Sequence, residues 1–176
     1  TTRMLQATRD VLEELAILPY DERKRTGVVR TVDARLGFES DDAQLTLVTA
    51  TEHLPRADEL VARLRSRLPD VTSIMQNINR RKTPLIFGDQ TKRLWGQSTI
   101  TEKIGHITFS LSPRAFFQLN PVQTVKLYNF VQEAAALTGR EWVVDAYCGV
   151  GTIGLWLAPH AREVRGIEAV PEAVAD

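Results

Sequence analysis

Asp145-Ala146-Tyr147-Cys148-Gly149-Val150-Gly151-Thr152 is the stretch whose reading decides the fold. The apolar run Trp142-Val143-Val144 leads into it as a strand, and a short helix leaves it and ends near Pro159. Glycines at such a strand-to-helix turn let backbone atoms approach a bound nucleotide with no Cβ in the way. A second strand, Val164-Arg165-Gly166-Ile167, follows, so the order is βαβ, the opening of a parallel sheet. Glu168 ends that strand. A carboxylate one βαβ step after the turn is placed to accept hydrogen bonds from both hydroxyls of an adenosine ribose.

Working outward, Asn120-Pro121 opens an amphipathic helix, with proline at a permitted first-turn position. Val125, Leu127, Tyr128, Val131, Ala134 and Ala135 carry it to Thr138-Gly139. Pro171-Glu172-Ala173-Val174 begins another helix. Two strands do not complete a doubly wound sheet, so residues 112–176 are expected to be the first, incomplete βαβ portion of a Rossmann-like α/β domain. Residues 1–111 read differently. Leu5, Val11, Leu12, Leu15 and Leu18 follow helical spacing up to Pro19; Val28–Phe38 and Ala43–Thr51 form a hairpin; Leu60, Val61, Leu64 and Leu68 share one face of a helix over Arg56–Leu68. Strands are expected at Val71–Ile74, Leu85-Ile86-Phe87, Arg93-Leu94-Trp95 and Ile104–Leu111, which makes this part an α+β domain.

The chain has 176 residues, 43% hydrophobic and 25% charged, the composition of a globular protein with a real core. No apolar run approaches the ~20 residues of a membrane span, and the first residues lack the pattern of a signal peptide, so a cytoplasmic protein with no membrane partner is expected. Cys148 is the only cysteine and His53, His106 and His160 are scattered. No disulfide, cysteine-held metal or iron–sulfur cluster can be completed within these residues.

Twenty-two basic residues balance twenty-two acidic ones, so net charge by itself does not indicate nucleic acid. Between Arg56 and Arg93 the chain is nonetheless locally basic. Arg63, Arg65 and Arg67 read best as a solvated helix face, while Arg80-Arg81-Lys82 is a candidate for contact with RNA phosphate.

Gly149-Val150-Gly151-Thr152-Ile153-Gly154 also satisfies G-x-G-x-x-G, so a dinucleotide oxidoreductase is an alternative. In dinucleotide sites the first glycine comes straight off an apolar strand, whereas Asp145, Tyr147 and Cys148 intervene here. S-adenosylmethionine has no phosphate and carries a sulfonium cation, an amine and a carboxylate, so an acidic residue such as Asp145 near the turn is electrostatically sensible for it. The methyl donor is therefore the favoured ligand. A small-molecule methyltransferase and a non-catalytic RNA-binding module remain as further alternatives.

Three blocks carry a resemblance. Ser112-Pro113-Arg114-Ala115-Phe116-Phe117-Gln118-Leu119-Asn120-Pro121, Val144 to Thr152, and Gly166-Ile167-Glu168-Ala169-Val170-Pro171-Glu172-Ala173 resemble, in family order, the RumA/TrmA family of uracil-5 RNA methyltransferases. Ile74-Met75-Gln76-Asn77-Ile78-Asn79 and Ile86-Phe87-Gly88 look like that family's central domain, and the wording around Asp145 to Cys148 fits its ribosomal-RNA branch. The resemblance implies a central domain over 1–111, the start of the methyltransferase domain over 112–176, and methyl transfer from S-adenosylmethionine to C5 of uridine, in 23S ribosomal RNA. It implies donor contacts from Gln118, Tyr147, Gly149, Thr152 and Glu168. Its chemistry needs a cysteine thiolate that adds to C6 of a flipped-out uracil and a carboxylate that removes the C5 proton. Both are expected beyond position 176, with no catalytic residue in this chain, which alone would be inactive. Cys148 is not expected to be the nucleophile.

Overall fold

The computed structural model describes residues 1–176, and the chain forms two compact units, Thr1–Ile100 and Thr101–Asp176. In the first, helix α1 (Thr2–Glu14) buries Met4, Thr8 and Val11, one side of the helix, and helix α2 (Ala57–Arg67) buries Leu60 and Leu64. Together with Leu45, Leu47 and Ile74 from the sheet they make the core of this unit. The sheet runs β1-β2-β3-β4 from strands Val29–Leu36, Ala43–Thr49, Ser73–Ile78 and Gln90–Gly96. β1 pairs antiparallel with β2, β2 parallel with β3, and β3 antiparallel with β4. The expected hairpin is β1–β2. The parallel β2–β3 pair is joined through α2, a βαβ crossover inside a mixed sheet.

Several boundaries differ from the expectation, each for a local reason. α1 stops at Glu14 rather than near Pro19, because Ala16 takes φ 51° and turns the chain before the proline is reached. Leu85-Ile86-Phe87 is not a strand: the carbonyls of Leu85 and Ile86 accept from the Asn79 amide at 2.8 and 3.0 Å instead of from a neighbouring strand. The single strand expected over Ile104–Leu111 is a pair, β5 (Ile100–Ile104) and β6 (Ile107–Leu111), turned at Gly105-His106. Where a boundary was expected at 111, β6 and all but the first residue of β5 fall within the second unit. The Arg63, Arg65, Arg67 group is a helix face: Arg63 and Arg67 pair with Glu14 at 2.9 and 2.5 Å, and Arg65 lies over the Trp95 ring at 4.4 Å.

In the second unit helix α3 (Pro121–Ala135) opens as its sequence requires, with the Asn120 side chain accepting from Gln123 N–H at 3.1 Å and proline in the first turn. It ends at Ala135, before Thr138-Gly139, where Ala136 is left-handed at φ 47°. β7 (Trp142–Ala146), α4 (Thr152–Leu157) and β8 (Glu163–Ile167) form the expected βαβ, with β7 and β8 parallel and Asp145 opposite Gly166. Helix α5 (Pro171–Ala175) follows. No helix is long and apolar enough to cross a membrane.

Candidate functional site

The turn after β7 is organised by two carboxylates, both engaged with main-chain amides. Asp145 Oδ2 accepts from Gly154 N–H at 2.8 Å, which ties the end of β7 to the first turn of α4. A Cβ at Gly154 would stand 2.9 Å from that oxygen and 3.1 Å from Val164 Cγ1, so the close approach of α4 to both strands depends on the missing side chain. The acid expected to act on the ligand's charge is therefore also the strut of the turn.

Glu168 joins the end of β8 to the turn after β7. Its Oε2 accepts from Gly149 N–H at 2.9 Å, and its Oε1 accepts from Ala169 and Val170 N–H at 2.7 and 2.8 Å. The amides of Val170, Gly149 and Ala169, in that order, hold this carboxyl below the usual carboxylate range. A carboxylate offers about four lone-pair directions, of which three are taken. One ribose hydroxyl can be accepted at Oε2 as it stands, and a second requires an amide to give way.

Tyr147 occupies the left-handed region at φ 62° and its residue is 93% exposed, an uncommon conformation for a bulky residue and one that presents the ring outward from the turn. Thr152 Oγ1 shares a hydrogen bond of 2.7 Å with the buried Tyr128 hydroxyl, so its side chain links α4 to α3. Burial pushes the Tyr128 phenol up. Gln118 is half-buried in the extended segment between β6 and α3. Gly149 and Glu168 are brought into direct contact; Gln118, Tyr147 and Thr152 are placed around the same unit with no hydrogen bond to that pair.

Cys148 is half-buried, with its side chain against Gly166 of β8. Its sulfur would lie 2.8 Å from a Cβ at Gly166, its amide donates to Ile167 C=O at 3.1 Å, and burial, then the nearby Asp145 charge, pushes its thiol up. A thiol pushed up in this way is less readily the thiolate that a nucleophilic cysteine needs.

Two contacts had no reading in the sequence. Ser112 N–H donates to Asp176 Oδ2 at 2.8 Å and Arg114 pairs with Glu172 at 2.7 Å, clasping the segment that carries Gln118 to α5. Tyr128, assigned from its spacing only to the apolar face of α3, is the partner of Thr152. In the first unit, Arg80 pairs with Glu52 at 2.5 Å and Arg81 with Asp89 at 2.5 Å, while Lys82 has no ion pair. No group of three or more His, Cys, Asp or Glu stands where it could hold a metal ion.

No family model matches the chain. Curated relatives do, over all 176 residues: a protein of Halalkalibacterium halodurans described as an uncharacterized RNA methyltransferase is 56% identical, and one of Bacillus cereus with the same description is 52% identical. The chain spans 38% of the length of each. Among solved structures, the Pyrococcus abyssi tRNA (uracil-54, C5)-methyltransferase, in complex with S-adenosyl-L-homocysteine, superimposes with a TM-score of 0.76 at 27% identity, over 98% of this chain and 41% of that one. The fold is thus one found in methyltransferases. More particularly, the resemblance to the uracil-5 RNA methyltransferases of the RumA/TrmA family, carried first by a few short blocks, extends along the whole chain.

Proposed function

We propose that this chain is the part of an RNA (uracil-5-)-methyltransferase that receives S-adenosylmethionine, and that its RNA is ribosomal. The observation that carries the reading is the direct bond between the glycine turn and Glu168, which sets a ribose acceptor beside an exposed backbone; nothing lies within 4 Å of where a Gly149 Cβ would be. The donor, when bound, supplies an electrophilic methyl group. Around it Glu168 takes a ribose hydroxyl at Oε2, Tyr147 covers the ligand with its ring, Gly149 allows close backbone approach, and Gln118, steadied through the Arg114–Glu172 clasp, closes the other side. Thr152 contributes by fixing α4 against Tyr128. With its thiol pushed up, Cys148 is not the nucleophile in this reading, and these residues alone transfer no methyl group. Tyr147 and Cys148 between the end of β7 and the first glycine, and the Asp145 carboxylate one residue inside that end, argue against a dinucleotide.

Titration calorimetry of the full-length protein with S-adenosylhomocysteine tests this. Charge-assisted hydrogen bonds to a ligand are strong, so Glu168→Ala should weaken binding roughly ten- to a hundredfold. Unchanged affinity, or tighter binding of NAD than of the methyl-donor product, would sink the reading.

A further inference from the structure

The segment between β3 and β4 is an exposed loop held in one shape from inside. Asn77 and Asn79, at 0% and 1% exposure, spend their side chains on its backbone. Asn77 Nδ2 donates to the carbonyls of Gly88 and Gln90 at 3.1 and 3.2 Å, and its Oδ1 accepts from Gly88 N–H at 2.6 Å. Asn79 Nδ2 donates to the carbonyls of Leu85 and Ile86, and its Oδ1 accepts from Arg81 N–H at 3.2 Å. Arg30, its side chain only 11% exposed, donates from Nη1 to the carbonyls of Asn79 and Arg81, both at 2.9 Å. Gly88 packs so closely on β3 that a Cβ would lie 1.9 Å from Ile78 O. Buried amides satisfied by loop backbone define a conformation that a surface loop of this length would not otherwise keep.

What this scaffold presents is an apolar tip inside a basic rim. Leu85 and Ile86 are 68% and 56% exposed. The rim consists of charges of the loop and of neighbouring segments, Arg80, Arg81, Lys82 and Lys92 against two carboxylates, Glu52 and Asp89, with Glu52 shared between Arg80 and Lys92. The rim therefore carries net positive charge, and Lys82 is uncommitted. Single-stranded RNA offers the complement, apolar base faces displayed beside phosphates.

We propose that residues 80–89 are a preformed RNA-docking loop, in which Leu85 and Ile86 lie against bases, Lys82 and its neighbours take phosphate, and Asn77 and Asn79 are positioning residues. This rests on the RNA methyltransferase reading and deepens it. Preorganisation is what the two asparagines contribute, since a loop already in its bound shape loses little entropy on docking.

The test uses the full-length protein and a uridine-rich single-stranded RNA, with S-adenosylhomocysteine titrated in parallel. The Leu85→Ser/Ile86→Ser variant alters only exposed side chains and should fold; its RNA dissociation constant should rise about tenfold, the scale of the apolar area lost. Its salt slope should stay that of the unaltered protein, because no charge is removed, whereas Lys82→Gln should flatten the slope. Asn79→Ala should weaken RNA binding, leave donor affinity alone, and add little when combined with Leu85→Ser/Ile86→Ser, a non-additivity that general destabilisation would not produce. If Asn79→Ala does not fold, the exposed pair decides by itself. RNA affinity of Leu85→Ser/Ile86→Ser within twofold of the unaltered protein overturns the loop assignment, including the case in which this surface serves a protein partner. Failure of the unaltered protein to bind RNA while it binds the donor product overturns the RNA reading, and the loop with it.

Discussion

Gly154 shows how a residue-scale effect is decided by competing magnitudes. In an isolated helix Gly→Ala gains about 1 kcal/mol. Here the new Cβ meets Asp145 Oδ2 at 2.9 Å, and that oxygen cannot swing away without giving up its bond to Gly154 N–H. Losing a hydrogen bond to a charged group costs about 1.5–3 kcal/mol, so the clash should win. Gly154→Ala is expected to lower stability by about 0.5–2 kcal/mol in urea denaturation and to weaken donor binding through the displaced turn. A stabilised Gly154→Ala protein would show that Asp145 is not the strut described. The glycines and Glu168 were legible in the sequence as a pair. That Glu168 is already bonded to Gly149 was not, because it depends on a rotamer and on where β8 ends relative to the turn.

At the scale of elements, the connection from α3 to β7 turns on Glu141. Its carboxylate accepts from the Thr138 hydroxyl at 2.7 Å, from Thr138 N–H at 2.8 Å and from Arg140 N–H at 3.1 Å, and these bonds, the hydroxyl first, pull its pKa from 4.5 to about 2. The folded pKa lies below the unfolded one, so the stabilisation is fully present above the ordinary carboxylate range and is lost as pH falls from there toward about 2. Carboxyl NMR should place the Glu141 midpoint near the low end of that window, and Glu141→Gln should remove this part of the acid sensitivity. A midpoint at the ordinary value would refute these hydrogen bonds to Glu141. Elements that announce themselves through neighbouring residues were readable: Asn120-Pro121 starts α3, and alternating apolar residues mark β1 and β2. The stretch Leu85–Phe87 misled because short apolar runs read as strands, whereas here they are the tip of a loop held by asparagines upstream. The β5–β6 turn was missed because Gly105-His106 interrupts the alternation only briefly.

At the scale of the whole molecule, the first unit has its own sheet and a core drawn from both of its helices. Residues 1–100 expressed alone should therefore unfold in a single cooperative urea transition, reported by near-ultraviolet dichroism of Trp95. A gradual, probe-dependent loss of signal would mean that the unit depends on the rest of the protein. Local order, the βαβ step and the place of the glycine turn were determined by the sequence itself, since capping, periodicity and backbone freedom act over a few residues. The parallel pairing of β2 with β3, the division after Ile100, the placing of the Cys148 thiol against Gly166 and the asparagine-held loop were decided only by tertiary structure. Each depends on which distant backbone groups a side chain or strand meets, and hydrogen bonds between segments far apart in sequence leave no periodic trace along it.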